Sequence, residues 1–180
     1  MALTATIYNF DVDLADADRH VYESLALHVA RHPSEAAEYL VARVLAYLLE
    51  WAEGIEFSRG VSDADEPAIL IRDPTGRIGT WIDIGTPDAA RLHKASKSAS
   101  RVVVYTHKDP APFLRRLVGQ KIHRGDALEL YAIDRTLVGA VAARLERRMA
   151  LSLSVSGGEL YLSIGRDNLT GRIVRLNRDT

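Results

Sequence analysis

Apolar and polar residues alternate over residues 4 to 14, with Thr6, Tyr8, Phe10, Val12 and Leu14 on one side and Ile7, Asn9, Asp11 and Asp13 on the other. A period of two predicts a half-buried strand. The stretch Ala15-Asp16-Ala17-Asp18-Arg19 interrupts the pattern, and alternation over residues 21 to 31 completes a long N-terminal hairpin. The period then becomes helical from Pro33 to about Glu53. Leu40, Val41, Val44, Leu48 and Trp51 share one side, and Glu35, Glu38, Tyr39, Arg43, Glu50 and Glu53 the other. Pro33 suits a first turn, Glu35 lies where acid favours the helix dipole, and Gly54 ends the helix.

Residues 66 to 85 read as a second hairpin, and Thr86-Pro87-Asp88 as the start of a second helix. The apolar run 101–105 predicts a buried strand, 110–122 a helix, 128–133 a strand and 135–149 an amphipathic helix. A hairpin turning at Ser156-Gly157-Gly158 and a strand at 171–176 close the chain. Helices alternate with strands in the middle and hairpins lie at both ends. The expected fold is α/β: one domain over residues 1–180, with a mixed sheet flanked by helices. A length of 180 residues and ordinary apolar and charged fractions agree with that.

The second hairpin raises a chemical question. Its second strand, Trp81-Ile82-Asp83-Ile84, is apolar apart from a carboxylate at its centre. Asp73-Pro74-Thr75-Gly76 has the residue types of a type I turn. A four-residue loop pairs Arg72 with Arg77 and, counting outwards, Glu66 with Asp83. A three-residue loop with a bulged Gly76 pairs Glu66 with Ile84 and puts the two acids on opposite faces. A one-residue slip flips every side chain, so the apolar pattern arbitrates. The first register gathers Ile69, Ile71, Ile78, Thr80, Ile82 and Ile84 on one face and is the one expected.

In that register Glu66 and Asp83 repel by roughly 3 kcal/mol at ~5 Å and an effective dielectric of ~20. Something must compensate them. A basic neighbour such as Arg59 or Lys94 is one candidate, and a divalent metal is the other. Mg²⁺ typically takes one or two carboxylates plus waters and substrate phosphates. Glu35 offers a third carboxylate, or simply compensates its helix dipole. In the helix after Thr86, Arg91, Lys94 and Lys97 lie away from Leu92, Ala95 and Ala99. They form either a solvated basic face or a cation set beside Asp83, available to a phosphate or an attacking water.

Composition narrows the options. There is no cysteine, hence no disulfide framework or thiolate metal site. The net charge of -1 does not indicate a broad basic surface for nucleic acid. The N-terminus lacks a signal-peptide pattern, and no apolar run approaches the ~20 residues of a membrane span. A soluble cytoplasmic protein without a membrane partner is expected. The six histidines lack zinc-ligand spacing. Asp11, Asp13, Asp16 and Asp18 lack the glycine and terminal glutamate of a calcium loop, and read as a solvated strand edge and turn. No phosphate-binding loop, GxGxxG or GxSxG occurs.

The segments Ala2 to Tyr8, Arg31-His32-Pro33-Ser34-Glu35, Asp65-Glu66-Pro67, Trp81-Ile82-Asp83-Ile84-Gly85 and Lys94-Ala95 resemble, in the same order, those of the YaeQ family of bacterial proteins. The resemblance covers nearly the whole chain. That family's fold is similar to a compact PD-(D/E)XK nuclease core. The resemblance implies an acid from the first helix at Glu35 and strand acids at Glu66 and Asp83. Glu66 and Asp83 would then be the ligands of Mg²⁺ or Mn²⁺. Gly85 stands at the position of the motif lysine, and Lys94 is the candidate for a lysine supplied from the following helix. Two functions follow as expectations. One is a metal-dependent phosphodiesterase acting on nucleic acid, with Glu35, Glu66, Asp83 and Lys94 as its catalytic set. The other is a non-catalytic binding or regulatory module of nuclease-like fold, contacting nucleic acid or the transcription machinery.

Overall fold

The computed structural model describes residues 4–58 and 65–178. In chain order the elements are β1 (Thr6–Asp16), β2 (Val21–Arg31), α1 (Ala37–Leu49), β3 (Ile55–Phe57), β4 (Ile69–Arg72) and β5 (Ile78–Ile84). They continue as α2 (Ala89–Ser98), β6 (Arg101–Thr106), α3 (Pro110–Leu117), β7 (Glu129–Ile133) and α4 (Arg135–Ala142). β8 (Arg148–Ser156), β9 (Glu159–Ile164) and β10 (Asp167–Leu176) complete the chain. The protein is of the α/β class with mixed strand pairing, as expected. Its residues gather into two compact units, 1–41 with 133–173 and 42–132 with 174–180.

In the first unit the strand order is β2-β1-β8-β9-β10. β1 and β2 form the expected hairpin, pairing Thr6 with Arg31 through Asp16 with Val21. β1 also runs parallel to β8, a long-range pairing that local alternation does not reveal. Phe10, Val12, Leu14, Leu27, Val29, Leu153, Leu160 and Leu162 are buried on one side of this sheet. The turn between β8 and β9 uses Gly157 and Gly158, both at positive φ, as a two-residue hairpin requires. The Asp18 carboxylate accepts both of their N–H groups, at 2.7 and 3.0 Å.

In the second unit the order is β7-β6-β5-β4-β3. β5, β6 and β7 are parallel, while β4 and β3 add antiparallel strands to the β5 edge. Parallel strands covered on both faces read as apolar runs, and Val102, Val103 and Val104 are all buried. One face carries Trp81, Val102, Val104 and Leu130 against Leu92 and Ala95 of α2 and Phe113 and Leu117 of α3. The register places Ile69, Ile82, Val103, Tyr105 and Tyr131 on the opposite face.

Four expectations need correction. α1 begins at Ala37, so Pro33 and Glu35 precede the helix. The Glu35 N–H bonds to the His32 carbonyl at 2.9 Å and the Glu35 carboxylate accepts the His32 N–H, closing a local turn instead. The same helix stops at Leu49, short of Glu53, and buries Arg43 where a polar face is expected. α3 ends at Leu117, with Gly119 at positive φ beyond it. α4 covers only the first half of 135–149, because Met149 onward alternates with period two and joins β8.

The register of the central hairpin is the fourth. Asp73 and Arg77 close a three-residue loop through the Asp73 N–H and Arg77 carbonyl, with Gly76 in the left-handed region at φ 85°. Arg72 therefore faces Ile78, but Ile71 faces Thr80 and Ile69 faces Ile82. A bulge at Gly79 absorbs one extra residue. The two irregularities together move the pairing by two positions. A shift of two preserves the faces: Ile69, Ile71, Thr80 and Ile82 still lie together, opposite Leu70 and Trp81. It does not preserve the pairs. Strand pairing ends at Ile69, and Glu66, in the bend before β4, is not the cross-strand partner of Asp83.

Candidate functional site

Asp83 is 2% exposed and faces the layer formed by α2. Its compensator is Arg91. The Arg91 Nε donates to one carboxylate oxygen at 2.7 Å and its Nη2 to the other at 2.9 Å, a bidentate charge-assisted pair. Nη2 also donates to the Glu66 carbonyl at 2.8 Å, and the guanidinium lies over the Trp81 ring. Local sequence builds this clamp. Asp88 caps α2 by accepting the Arg91 N–H, which fixes Arg91 in the first turn just after the strand that carries Asp83.

The other expected residues have different partners. Lys94, one turn further along α2, pairs with the carboxylate of Asp65, and both side chains are largely exposed. Glu66 contributes its backbone carbonyl, and among the described residues its carboxylate makes no hydrogen bond or ion pair. Glu35 is 4% exposed within the first unit; Arg31 Nε donates to its carbonyl at 3.0 Å. Arg59 lies outside the described residues. The donor set does not fit Mg²⁺ or Mn²⁺. Such an ion needs free carboxylate oxygens, and Arg91 engages both oxygens of Asp83. Among the described residues no group of three or more His, Asp or Glu side chains stands together to hold a metal.

A second charged cluster, missed by sequence reasoning, lies on the opposite face of the same sheet. Arg101 at the head of β6 donates to Glu50 (2.6 and 3.2 Å) and to Glu129 (2.5 and 3.0 Å). The Tyr105 hydroxyl donates to Glu50 at 2.6 Å, and the Tyr131 hydroxyl to Glu129 at 3.2 Å. Arg175 donates to the Tyr131 hydroxyl at 2.9 Å and lies over that ring, which stacks on Tyr105. Hydrogen bonds from Arg101 hold the Glu129 carboxyl below its ordinary value of 4.5. Burial, and then the negative charge of Glu50, push the Tyr105 phenol above its ordinary 10.0. The available signal was charges of opposite sign opening two otherwise apolar strands, Arg101 and Glu129.

These shifts predict a pH profile. Glu129, depressed by folding, contributes stability above its unfolded value near 4.5, lost as pH falls through the lower folded value. Tyr105, raised by folding, contributes below 10.0 and loses that contribution as pH rises further. Denaturation midpoints measured against pH should fall at both ends. Glu129→Gln should flatten the acid limb and Tyr105→Phe the alkaline limb. Unchanged limbs in these variants would show that the cluster does not govern them.

The outer side of the α2–α3 layer carries the remaining chemistry. Residues 91–124 hold nine lysines and arginines against one acid, in a chain whose net charge is -1. Four of the nine are engaged: Arg91, Lys94 and Arg101 as above, and Arg124, which donates to the Ser96 carbonyl and to the Ala99 carbonyl at 2.8 Å to close the end of α2. Of the other five, Lys108 stands in the loop between β6 and α3, and Lys97, Arg115, Arg116 and Lys121 are exposed along the helical layer; none makes an ion pair with any described residue. α2 and α3 bury Leu92, Ala95, Phe113 and Leu117 against one sheet face, so the exposed sides of both helices look outward from the same layer. The His123 N–H donates to His93 Nδ1 at 3.1 Å, tying the segment after α3 to α2. Whole-chain charge hides this surface. A charge count in windows finds it.

An α/β protein with a clamped buried carboxylate and a basic helical layer is thus defined. The sequence model described as "YaeQ protein" matches residues 1–173, and the chain belongs to the YaeQ family. It is similar to an uncharacterized YaeQ protein of Escherichia coli K12, at 35% identity over 94% of each chain. The corresponding Salmonella typhi protein is also 35% identical over 94% of each chain. The crystal structure of a YaeQ protein from Pseudomonas syringae superposes with a TM-score of 0.86 at 29% identity, over 96% of each chain. That from Xanthomonas axonopodis pv. citri gives 0.87 at 30% identity, over 96% of this chain and 98% of that one.

Proposed function

We propose that this chain is a non-catalytic binding module whose α2–α3 layer grips the phosphate backbone of nucleic acid. The observation that carries this reading is the set of four exposed cations, Lys97, Arg115, Arg116 and Lys121, without an acid partner among the described residues. Lysines and arginines on a folded surface neutralise phosphates and release counterions, which supplies affinity without sequence preference. The aromatic residues beneath this layer, Trp81 and Phe113, are buried, so they offer no platform on which bases could stack. The Asp83–Arg91 clamp supports binding over hydrolysis, because it engages the carboxylate that a metal-dependent phosphodiesterase would use.

Fluorescence anisotropy with a labelled duplex tests the reading. Four phosphate contacts predict a slope of log affinity against log salt of about -3.6, and about -2.8 for a single strand. Charge reversal of all four cations should lower affinity at least about 100-fold at low salt, since each phosphate contact contributes to the same electrostatic term. Chelator should leave binding unchanged. No binding at low salt, or equal binding by the reversed variant, would defeat the proposal. Divalent-dependent cleavage that is lost in a folded Asp83→Asn variant would replace it with the phosphodiesterase reading.

A further inference from the structure

The first unit presents an open sheet face with the opposite character. Asp11 and Asp13 sit on the exposed side of β1, about 7 Å apart at ~3.4 Å per residue. Register sets Asp11 between Ala26 of β2 and Ala150 of β8, and Asp13 between Ser24 and Ser152. These short side chains leave a groove of about 460 Å³ across β2, β1 and β8, and no lysine or arginine lines it. Asp13 accepts one hydroxyl, from Ser24 at 2.8 Å. Neither carboxylate makes an ion pair with a described residue. The nearest cation in register, Arg148, stands two pairs along from Asp11, opposite Asn9.

The chain therefore carries two unmatched halves, an acidic groove on one unit and a cationic helical layer on the other. We propose that the groove docks the α2–α3 layer of a second copy of this chain. Charge complementarity selects that occupant: the four cations of the layer have no acid partner among the described residues, and the two groove carboxylates have no cation. Helix on sheet is the ordinary layering of protein structure, and long lysine and arginine stems cover a floor of alanine and serine while their charges reach the carboxylates. The contact is heterologous, joining different surfaces of the two copies. It uses the cationic layer on which the proposed function rests, but requires no nucleic acid.

Sedimentation velocity on the full chain, free of nucleic acid, tests it. The parent should associate with rising concentration at ~0.1 M salt, where the Debye length is about 10 Å, and become monomeric near 1 M, where it is about 3 Å. Asp11→Lys with Asp13→Lys should abolish association, as should Lys97→Glu with Arg116→Glu. An equimolar mixture of the two variants should restore it, because each then offers the other a complementary pair of surfaces. Thermal melts confirm that both variants are folded. A parent that stays monomeric at low salt overturns the inference, even if a lysine-rich peptide binds the groove and so identifies a foreign basic segment as its occupant. Association that persists in high salt, or in either variant alone, overturns it as well, and assigns the contact to exposed apolar residues such as Ile7 and Tyr161. The Asp11→Lys, Asp13→Lys variant keeps the cationic layer and should bind nucleic acid at least as well as the parent, so the two proposals fail separately.

Discussion

Arg101→Met should lower the unfolding free energy by about 3 kcal/mol, the scale of breaking a buried ion pair by removing one partner. Methionine keeps most of the apolar stem, so the loss reports on the charge. Arg101 stands between two carboxylates and directs all three guanidinium nitrogens at them. Without it Glu50, 8% exposed and just past the end of α1, retains only the Tyr105 hydroxyl among these contacts and faces the negative end of the helix dipole. Arg101 is itself partly exposed, with 38% of its side chain accessible, which places the expectation at the lower end of the range. For a chain of this length about 3 kcal/mol corresponds to a fall of roughly 6–12 °C in melting temperature. Arg101→Lys should recover only part, since a point charge cannot serve two carboxylates in fixed fork geometry. Chemical denaturation with an unchanged denaturant slope is the measurement. A loss under about 1 kcal/mol would reduce the cluster to an ordinary surface pair.

What was legible in the sequence follows from the range of the interactions. The N-terminal hairpin was readable because alternation over eleven residues is a local pattern, and the faces of β4 and β5 were readable for the same reason. The pairing of those strands was not. The face pattern favours the four-residue loop, because a three-residue loop alone mixes Glu66 and Arg72 into the isoleucine face. The protein uses the shorter loop and then corrects the faces with a bulge at Gly79, a compensation that no face pattern detects because it leaves that pattern intact. Pro33 and an early acid suit a first turn and so point to a helix at Glu35, yet the Glu35 carboxylate and backbone close a turn with His32 before the helix begins. The basic side of α2 was readable as helical period, and Arg91 was one of its three members. Which of them met Asp83 depended on how the helix starts after β5. The Glu50–Arg101–Glu129 cluster joins residues 51 and 28 positions apart, beyond the reach of any periodicity.

The register also decides the sign of the remaining large effect. Had Glu66 stood opposite Asp83, neutralising Asp83 would have relieved a repulsion and stabilised the metal-free protein. With pairing ended at Ile69 and Arg91 clamped on the carboxylate, the sign reverses. Asp83→Asn should cost about 3–5 kcal/mol, because Asp83 is 2% exposed and its loss leaves a guanidinium, itself about three-quarters covered, without its counter-charge. Arg91→Ala should cost a similar amount by exposing the converse defect and by removing the stem that covers Trp81. A double-mutant cycle separates these terms. If the clamp is the dominant interaction, the double variant should lose much less than the sum of the two single losses, since neither charge is then stranded. Strict additivity would show that each residue acts through its other contacts. Asp83→Asn with unchanged stability would leave the carboxylate unneeded for folding, and a divalent cation could then take the place of Arg91. Calorimetric titration of Mg²⁺ into Arg91→Ala completes the argument. That variant frees both Asp83 oxygens, so an ion that binds it and not the parent would identify Arg91 as the group that keeps metal away from this carboxylate.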